Sequence, residues 1–203
     1  DLVFTDVTYI DYGSGKRAYL SPILDCAGEV ISYAVSESQD LSMISAMLDD
    51  IRKDTIHEGT LFHSDQGALY MSDQFQERLK EMGLIQSMSR RGNCWDNAAM
   101  ESFFGHLKDH CHFAGCATFQ EVKKMIDDYI EYYNNERPQW TRLKMTPAAY
   151  ARYLKEMGEQ EFKAYLAKER KKYEQMITRS IEQTDKHGEH LRSVISSFVE
   201  ETR

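Results

Sequence analysis

The fold is decided by residues 2–36, which read LVFTDVTYIDYGSGKRAYLSPILDCAGEVISYAVS. β-branched and aromatic residues are concentrated in three runs of this stretch, at residues 2–10, 18–24 and 30–35. The runs are separated by DYGSG and by DCAG, which have the composition of turns. Two short turns between three consecutive strands predict an antiparallel meander.

Beyond residue 36 the pattern changes to strands that alternate with helices. Apolar residues at helical spacing, a capping residue such as Ser72 and a stop signal such as Gly83 define the segments. They predict short strands at residues 60–63 and 84–88, helices at residues 41–51, 72–82, 95–111 and 119–134, and a further helix that starts at residues 146–147. Three strands followed by this alternation predict an α/β fold, in which a mixed five-stranded sheet is flanked by helices on both faces.

The composition changes near residue 158, and we therefore expect two parts, residues 1–157 and residues 158–203. The second part contains charged residues of both signs, and its apolar residues, among them Phe162, Leu166 and Tyr173, recur at helical spacing. This spacing predicts a helical C-terminal extension, a hairpin that packs on the first part or on a second chain.

Charge and composition exclude several classes of protein. The 203 residues include 25 Lys and Arg against 33 Asp and Glu, which gives a formal net charge of −8. This acidic balance argues against a chain that binds nucleic acid by bulk charge alone. A hydrophobic content of 41% argues against disorder. No apolar run approaches the roughly 18 residues of a membrane span, so no membrane partner is expected.

The N-terminus and the cysteines predict where the protein is located. The chain starts within a strand pattern and has neither an initial Met nor a signal peptide, so we expect that upstream sequence has been removed. Four scattered cysteines predict reduced thiols and a cytoplasmic protein. One crowded group contains His106, His110, Cys111, His112 and Cys116. A zinc site is one interpretation of this group, but no pair has C-x2-C spacing, and buried thiols at a polar helix end are favoured.

Three acidic residues stand where an acid is unusual. Asp6 lies in the middle of the first predicted strand, Asp65 lies just past a later one, and Glu101 lies on the long helix that follows an Arg-Arg-Gly loop. A buried carboxylate loses hydration, so an acid in a central strand is costly. The alternatives to a functional site are an edge strand with Asp6 facing water and a salt-bridged pair.

The sequence around these acids resembles that of a known family. The motifs are DVTY at residues 6–9, HSDQG at 63–67, WDNAAMESFF at 95–104, YYNNERP at 132–138 and TPAAY at 146–150. Between Asp65 and Glu101 lie 35 residues. In this order the motifs resemble those of bacterial insertion-sequence transposases that share the D-D-E catalytic core of retroviral integrases. The resemblance runs from about residue 2 to about residue 155.

The resemblance implies a ribonuclease H-like fold and a metal-dependent transposase, with Asp6, Asp65 and Glu101 as catalytic residues and metal ligands. Carboxylate oxygens suit Mg²⁺ or Mn²⁺, and three carboxylates can hold two such ions in one active site when DNA is bound. The implied reaction is strand cleavage at transposon ends followed by strand transfer into target DNA. This displacement at phosphorus needs no covalent enzyme intermediate, so no Ser or Cys nucleophile is expected.

Residues near Glu101 are candidates for contact with DNA. Asn97 lies four residues before Glu101 and Lys108 lies seven after it, so the three share one helix face. Lys108 either meets a phosphate or is a solvated helix lysine. Arg90 and Arg91 lie on the loop before the helix, where they bind phosphate in bidentate fashion or remain a solvated pair.

Three further positions complete the candidates. His63 precedes Asp65 by two residues and either orients a water molecule or simply packs. Arg137, in the YYNNERP motif, either contacts DNA or has a structural role. Trp140 is expected to be a packing residue rather than a stacking platform.

The chain departs from the family pattern in two places without losing an acid. Val3 stands where many relatives have Trp, and Gln139 stands where many have His. We expect no counterpart of the family's N-terminal helix-turn-helix region within these residues. We therefore expect the catalytic core of a protein of the bacterial cytoplasm or nucleoid, which acts on transposon-end and target DNA as a homo-oligomer.

Two rival functions stay open at this stage. One is a plain ribonuclease H-like nuclease, which the YYNNERP motif and the 35-residue interval between Asp65 and Glu101 oppose. The other is a domesticated, non-catalytic DNA-binding or regulatory module, which the three intact acids oppose.

Overall fold

A computed structural model describes residues 2–51, 55–89 and 98–158, together with the single positions 161, 164, 168 and 171. Arg90, Arg91 and Asn97, three of the candidates for DNA contact, lie outside these residues, and so does most of the predicted C-terminal extension.

One mixed sheet forms the centre of the fold. Its strands are β1 (Leu2–Thr5), β2 (Thr8–Tyr12), β3 (Lys16–Asp25), β4 (Val30–Ser36), β5 (Leu61–Ser64) and β6 (Ile85–Met88). β3 pairs antiparallel with β1 and β2 along one edge and with β4 along the other. β5 then pairs parallel to β1, and β6 parallel to β5. The predicted antiparallel meander and the mixed sheet are both confirmed.

The first strand is interrupted at Asp6. Thr5 pairs with Ile23 and Thr8 with Leu20, so β1 and β2 keep one register on β3. Asp6 therefore lies opposite Pro22, which has no N–H to donate to the ladder. The prediction of one continuous strand over residues 2–10 is wrong at this point. The two segments still occupy one place in the sheet, which has the five positions predicted.

The described chain contains five α-helices. They are α1 (Leu41–Asp49), α2 (Asp73–Glu81), α3 (Ala98–His110), α4 (Phe119–Asn135) and α5 (Pro147–Glu156). The side chain of Ser72 caps α2 by accepting a hydrogen bond from the N–H of Phe75. Thr118 and Glu121 form a capping box at the start of α4, which satisfies N–H groups that the first turn leaves without partners.

A separate hydrophobic core lies on each face of the sheet. On one face α1 and α2 pack against strand residues that include Val3, Ile23 and Phe62. On the other face α3 and α4 pack against strand residues that include Ile10 and Leu20. Successive strand residues point to opposite faces, so Val3 of β1 joins one core, Ile10 and Tyr12 of β2 join the other, and Tyr9 and Asp11 are exposed.

The chain divides into two compact units, Asp1–Tyr153 and Leu154–Arg203. The boundary falls within α5, a few residues before the division expected from composition, which stays a prediction. Every helix within the described residues is too short or too polar to traverse a bilayer.

Candidate active site

Asp6 and Asp65 lie at the ends of two neighbouring parallel strands. Phe4 of β1 is in register with His63 of β5, and each acid follows its member of that pair by two residues. The two half-buried carboxylates therefore reach the same edge of the sheet. Both line one cleft of about 340 Å³, the acid cleft, whose lining residues are Asp6, Val7, Gln39, Asp65, Gly67, Ala68, Leu69 and Tyr70.

The backbone beside each acid orients its carboxylate. The N–H of Val7 donates to Oδ1 of Asp6 at 2.7 Å, and the N–H of Gly67 donates to Oδ1 of Asp65 at 2.8 Å. A Cβ atom on Gly67 would lie 2.8 Å from that same Asp65 oxygen, closer than real contacts allow. The turn after β5 therefore needs glycine at this position to hold Asp65 as it is.

Buried hydroxyl groups lie next to the acid cleft. The Tyr70 side chain is 2% exposed, and its hydroxyl lies 3.3 Å from Oγ1 of Thr5 and 3.5 Å from Oγ of Ser21. Burial raises the pKa of Tyr70 well above its usual range, and the charges of Asp6 and Asp65 raise it further, against the hydrogen bonds of Ser21 and Thr5. Tyr70 is therefore neutral at physiological pH and cannot act as a general base there.

His63 is held by two serine hydroxyl groups. Its Nδ1 lies 2.9 Å from Oγ of Ser87, and its Nε2 lies 3.1 Å from Oγ of Ser89. The ring also meets Phe4 edge to face, with 5.8 Å between the ring centroids. These contacts tie β5 to β1 and to β6 just before Asp65, and His63 does not line the acid cleft.

Glu101 is in the first turn of α3 and does not line the acid cleft. The helix buries Met100, Phe103 and Leu107 in the core and leaves Glu101 and Lys108 exposed on one face. Among the residues that the structure describes, no three His, Cys, Asp or Glu side chains are close enough to hold a metal ion. The structure thus brings two of the three predicted acids together.

The exposed face of α3 nevertheless borders β2, which begins two residues after Asp6. Nζ of Lys108 lies 5.3 Å from the ring centroid of Tyr9, which follows Asp6 by three residues. Arg137 lies elsewhere, half-buried just past the end of α4. It is near His106, whose pKa is lowered by burial and then by the charge of Arg137. Arg137 does not line the acid cleft.

A second cavity, of about 640 Å³, is lined by four members of the histidine and cysteine group, His110, Cys111, His112 and Cys116, and not by His106. Cys111 and Cys116 are buried free thiols, and burial raises the pKa of Cys111 to about 11. The His110 ring stacks on Tyr132, with 5.0 Å between centroids. The burial of both thiols agrees with the interpretation of this group as buried thiols.

Sequence reasoning missed Tyr70, which lines the acid cleft, and two residues outside the cleft, Tyr9 and Arg17. No sequence pattern indicated that Tyr70 lies at the site, because a single tyrosine after a turn is not distinctive. Tyr9 was quoted only as part of a motif, although it is an aromatic residue at an exposed strand position, 52% exposed in the structure. Arg17 lies on the next strand, eight residues after Tyr9, and meets it through the pairing of β2 with β3.

Comparison with known proteins identifies the family. The integrase core domain family matches residues 1–94 and, in a second form, residues 82–147. A transposase-like protein of Haemophilus influenzae is 40% identical over 148 residues, which cover 72% of this chain and 68% of that protein. The chain belongs to the integrase-core family of insertion-sequence transposases. InsK of the insertion sequence element IS150 from Escherichia coli is 44% identical over 149 residues, 72% of this chain, and the chain spans about half of that relative, 52%.

Solved structures show the same fold for this integrase-core chain. The catalytic core domain of HTLV-2 integrase in complex with magnesium, in a dimeric form, superposes with a TM-score of 0.57 at 18% identity, covering 72% of this chain and 92% of that chain. A trimeric form gives a TM-score of 0.59, also at 18% identity, covering 73% and 94%. The predicted ribonuclease H-like fold is confirmed.

Proposed function

We propose that this chain is the catalytic core of a transposase that cleaves DNA strands at transposon ends and transfers them to target DNA, with Asp6, Asp65 and Glu101 as its catalytic residues. The observation that carries the proposal is the acid cleft. In a member of the integrase-core family, two carboxylates from adjacent parallel strands converge on one cleft.

The donor set of the acid cleft fits a divalent cation. Asp6 and Asp65 offer hard carboxylate oxygens, the ligands that Mg²⁺ and Mn²⁺ prefer. No Lys or Arg of the described residues forms an ion pair with Asp65, so its charge is available to a cation. One or two bound ions would supply activation of the attacking hydroxyl and stabilisation of the leaving oxygen at phosphorus.

Glu101 supplies the third carboxylate in this proposal. It lies on the α3 face that borders β2, and its side chain is exposed and able to change position. Three carboxylates sharing one site repel one another in the absence of a cation. We therefore expect Glu101 to approach Asp6 and Asp65 only when the cation is bound with DNA, because the positive charge of the cation then offsets the repulsion among the carboxylates and the phosphate.

Other residues position the reacting strand. The turn at Gly67 fixes Asp65, and neutral Tyr70 adds no further negative charge beside the incoming phosphate. Lys108 offers an ammonium group to a DNA phosphate, and Arg90, Arg91, Asn97 and Arg137 stay predictions as DNA contacts. His63 supports the strand that ends at Asp65, through its hydrogen bonds to Ser87 and Ser89.

The assembly and the location are also proposals. The HTLV-2 integrase cores were solved in dimeric and trimeric forms. By analogy we propose that this chain acts as a homo-oligomer that holds transposon-end and target DNA, in the bacterial cytoplasm or nucleoid. Residues 1–157 would be the catalytic core, and residues 158–203 a helical extension.

The test is strand cleavage of a supercoiled plasmid by the purified chain with Mn²⁺ or Mg²⁺. Asp6→Asn, Asp65→Asn and Glu101→Gln should each abolish nicking and leave the melting transition cooperative. Glu77→Gln, which changes an exposed acid of α2, is the matched control and should nick like wild type. Nicking by Glu101→Gln at the wild-type rate would show that the triad is wrong.

A further inference from the structure

Two cations converge on one exposed aromatic ring, that of Tyr9, three residues after Asp6. Cζ of Arg17, from β3, lies 4.2 Å from the ring centroid of Tyr9, and Nζ of Lys108, from α3, lies 5.3 Å from it. Tyr9 itself is on β2 and is 52% exposed. Together with Asp11 these residues form the Tyr9 cluster.

The charges of the Tyr9 cluster do not balance. Nε of Arg17 donates to Oδ1 of Asp11 at 2.8 Å, and this hydrogen bond raises the pKa of the guanidinium. Lys108 has no carboxylate within ion-pair distance among the residues that the structure describes. Two like charges near one ring repel, and the negative face of the ring offsets only part of that repulsion. Binding of an anion at the cluster is therefore favourable, because it offsets the repulsion between Arg17 and Lys108.

The position of the cluster indicates which anion. Tyr9 follows Asp6 by three residues, which is about 10 Å along an extended strand, and Lys108 contacts Tyr9 from α3. That distance is about the axial rise of three nucleotides in one strand of DNA. A DNA strand that has one phosphate at Asp6 and Asp65 can thus place another phosphate, about three nucleotides away, at the Tyr9 cluster.

We propose that Tyr9 aligns Arg17 and Lys108 as a clamp for a DNA phosphate, a few nucleotides from the phosphate that reacts. This inference rests on the proposed function. Arg17 and Lys108 contact the phosphate, and Asp11 fixes the guanidinium of Arg17. Tyr9 is a positioning residue: the face of its ring, not its hydroxyl group, holds the two cations.

The experiment measures binding of the purified chain to a short DNA duplex of arbitrary sequence in metal-free buffer, at several salt concentrations. Arg17→Gln and Lys108→Gln should each reduce the magnitude of the slope of log K against log salt by about 0.9, the contribution of one phosphate contact. Arg78→Gln is the matched control: Arg78 is an exposed arginine on α2, paired with Asp49 at 2.6 Å, and the slope should stay unchanged.

Two substitutions at Tyr9 separate alignment from a general structural role. Tyr9→Leu should weaken binding about two- to fivefold, the range of an exposed cation–π contact. Tyr9→Phe keeps the ring face and should bind like wild type. Tyr9→Leu should also cost less when Lys108 is already Gln, because the ring acts through that cation. Equal binding by Tyr9→Leu and wild type, or equal loss in Tyr9→Phe and Tyr9→Leu, would overturn the clamp.

Plasmid nicking separates this inference from the proposed function. If the Tyr9 cluster variants bind like wild type while Asp6→Asn abolishes nicking, the clamp is wrong and the proposed function stands. If Asp6→Asn nicks like wild type, the proposed function is wrong. The clamp is proposed as a part of that reaction, so it is then wrong as well.

Discussion

Asp6 and Asp65 occupy equivalent places on two parallel strands, each two residues beyond the paired residues Phe4 and His63. The structure of the sheet explains why the two positions are equivalent. Pro22 interrupts the ladder opposite Asp6, and β5 ends at Ser64, so both acids leave the regular strand at the same level. Their carboxylates then face one cleft, which is the basis of the predictions below.

The turn at Gly67 should be needed for activity more than for stability. In Gly67→Ala the new Cβ would lie 2.8 Å from Oδ1 of Asp65 and would displace that carboxylate. A displacement of about 1 Å can cost about 10²-fold in rate, so plasmid nicking should fall by about that factor. Gly105→Ala is the control, because a Cβ there meets nothing within 4 Å. Full nicking by Gly67→Ala would show that the placement of Asp65 does not matter.

Tyr70 should contribute to stability and not to proton transfer. Tyr70→Phe removes a buried hydroxyl that contacts Thr5 and Ser21, and should lower the free energy of unfolding by about 1 kcal/mol. Because its pKa lies well above the usual range, the pH profile of nicking between pH 6 and 9 should not change. Urea unfolding and the pH profile together check this. A changed profile would mean that Tyr70 titrates in the working range.

Asp25 should make the protein less stable as the pH rises. Burial raises the pKa of this carboxyl to about 6, against hydrogen bonds from the backbone of Glu29 and Ala27. Its pKa in the unfolded chain is about 3.9, so the folded state binds more protons between about pH 4 and pH 6. The free energy of unfolding therefore decreases as the pH rises through that window.

Asp25→Asn should remove this decrease. The amide oxygen can still accept the N–H of Glu29, which Oδ1 of Asp25 accepts at 2.7 Å. The free energy of unfolding at pH 7 should rise by about 1–2 kcal/mol. Urea unfolding at four pH values from 4 to 7 measures it, with Asp109→Asn, an exposed acid of α3, as the control. If the free energy of unfolding decreases with pH in Asp25→Asn as much as in wild type, the decrease comes from another group.

Local signals in the sequence predicted most of the fold. The cap at Ser72 and the Thr146–Pro147 start of α5 define helix ends through contacts within one turn, and the structure has both. The break at Asp6 could not be predicted, because it depends on Pro22 lying opposite, and that pairing exists only in the folded sheet.

The expectation that Trp140 packs in the core was wrong for a similar reason. Its ring is 83% exposed. Arg142 donates to the backbone oxygen of Ala27, and the next two residues, Leu143 and Lys144, adopt positive φ angles. This tertiary contact determines the conformation of the loop after α4, and the sequence of the loop alone does not indicate it.

The sequence predicted which types of residue form the candidate site, but not how they are arranged in space. The motifs singled out Asp6 and Asp65, and the parallel pairing of β1 with β5 brings them together. The distance of Glu101 from them depends on how α3 packs, and the Tyr9 cluster depends on contacts among β2, β3 and α3. Neither relationship can be read from spacing along the chain.

The most direct test of the central claim is the melting temperature of wild type and Asp6→Asn as Mn²⁺ is added. A cation that binds only the folded state at ten times its Kd stabilises it by about 1.4 kcal/mol. For a chain of this size that is a rise of about 3–6 °C in Tm. Without metal, Asp6→Asn should melt above wild type, because it relieves repulsion with Asp65. With millimolar Mn²⁺, wild type and the control Glu77→Gln should gain stability and Asp6→Asn should gain little. An equal rise in wild type and Asp6→Asn would contradict the account, because Asp6 would then not be a metal ligand.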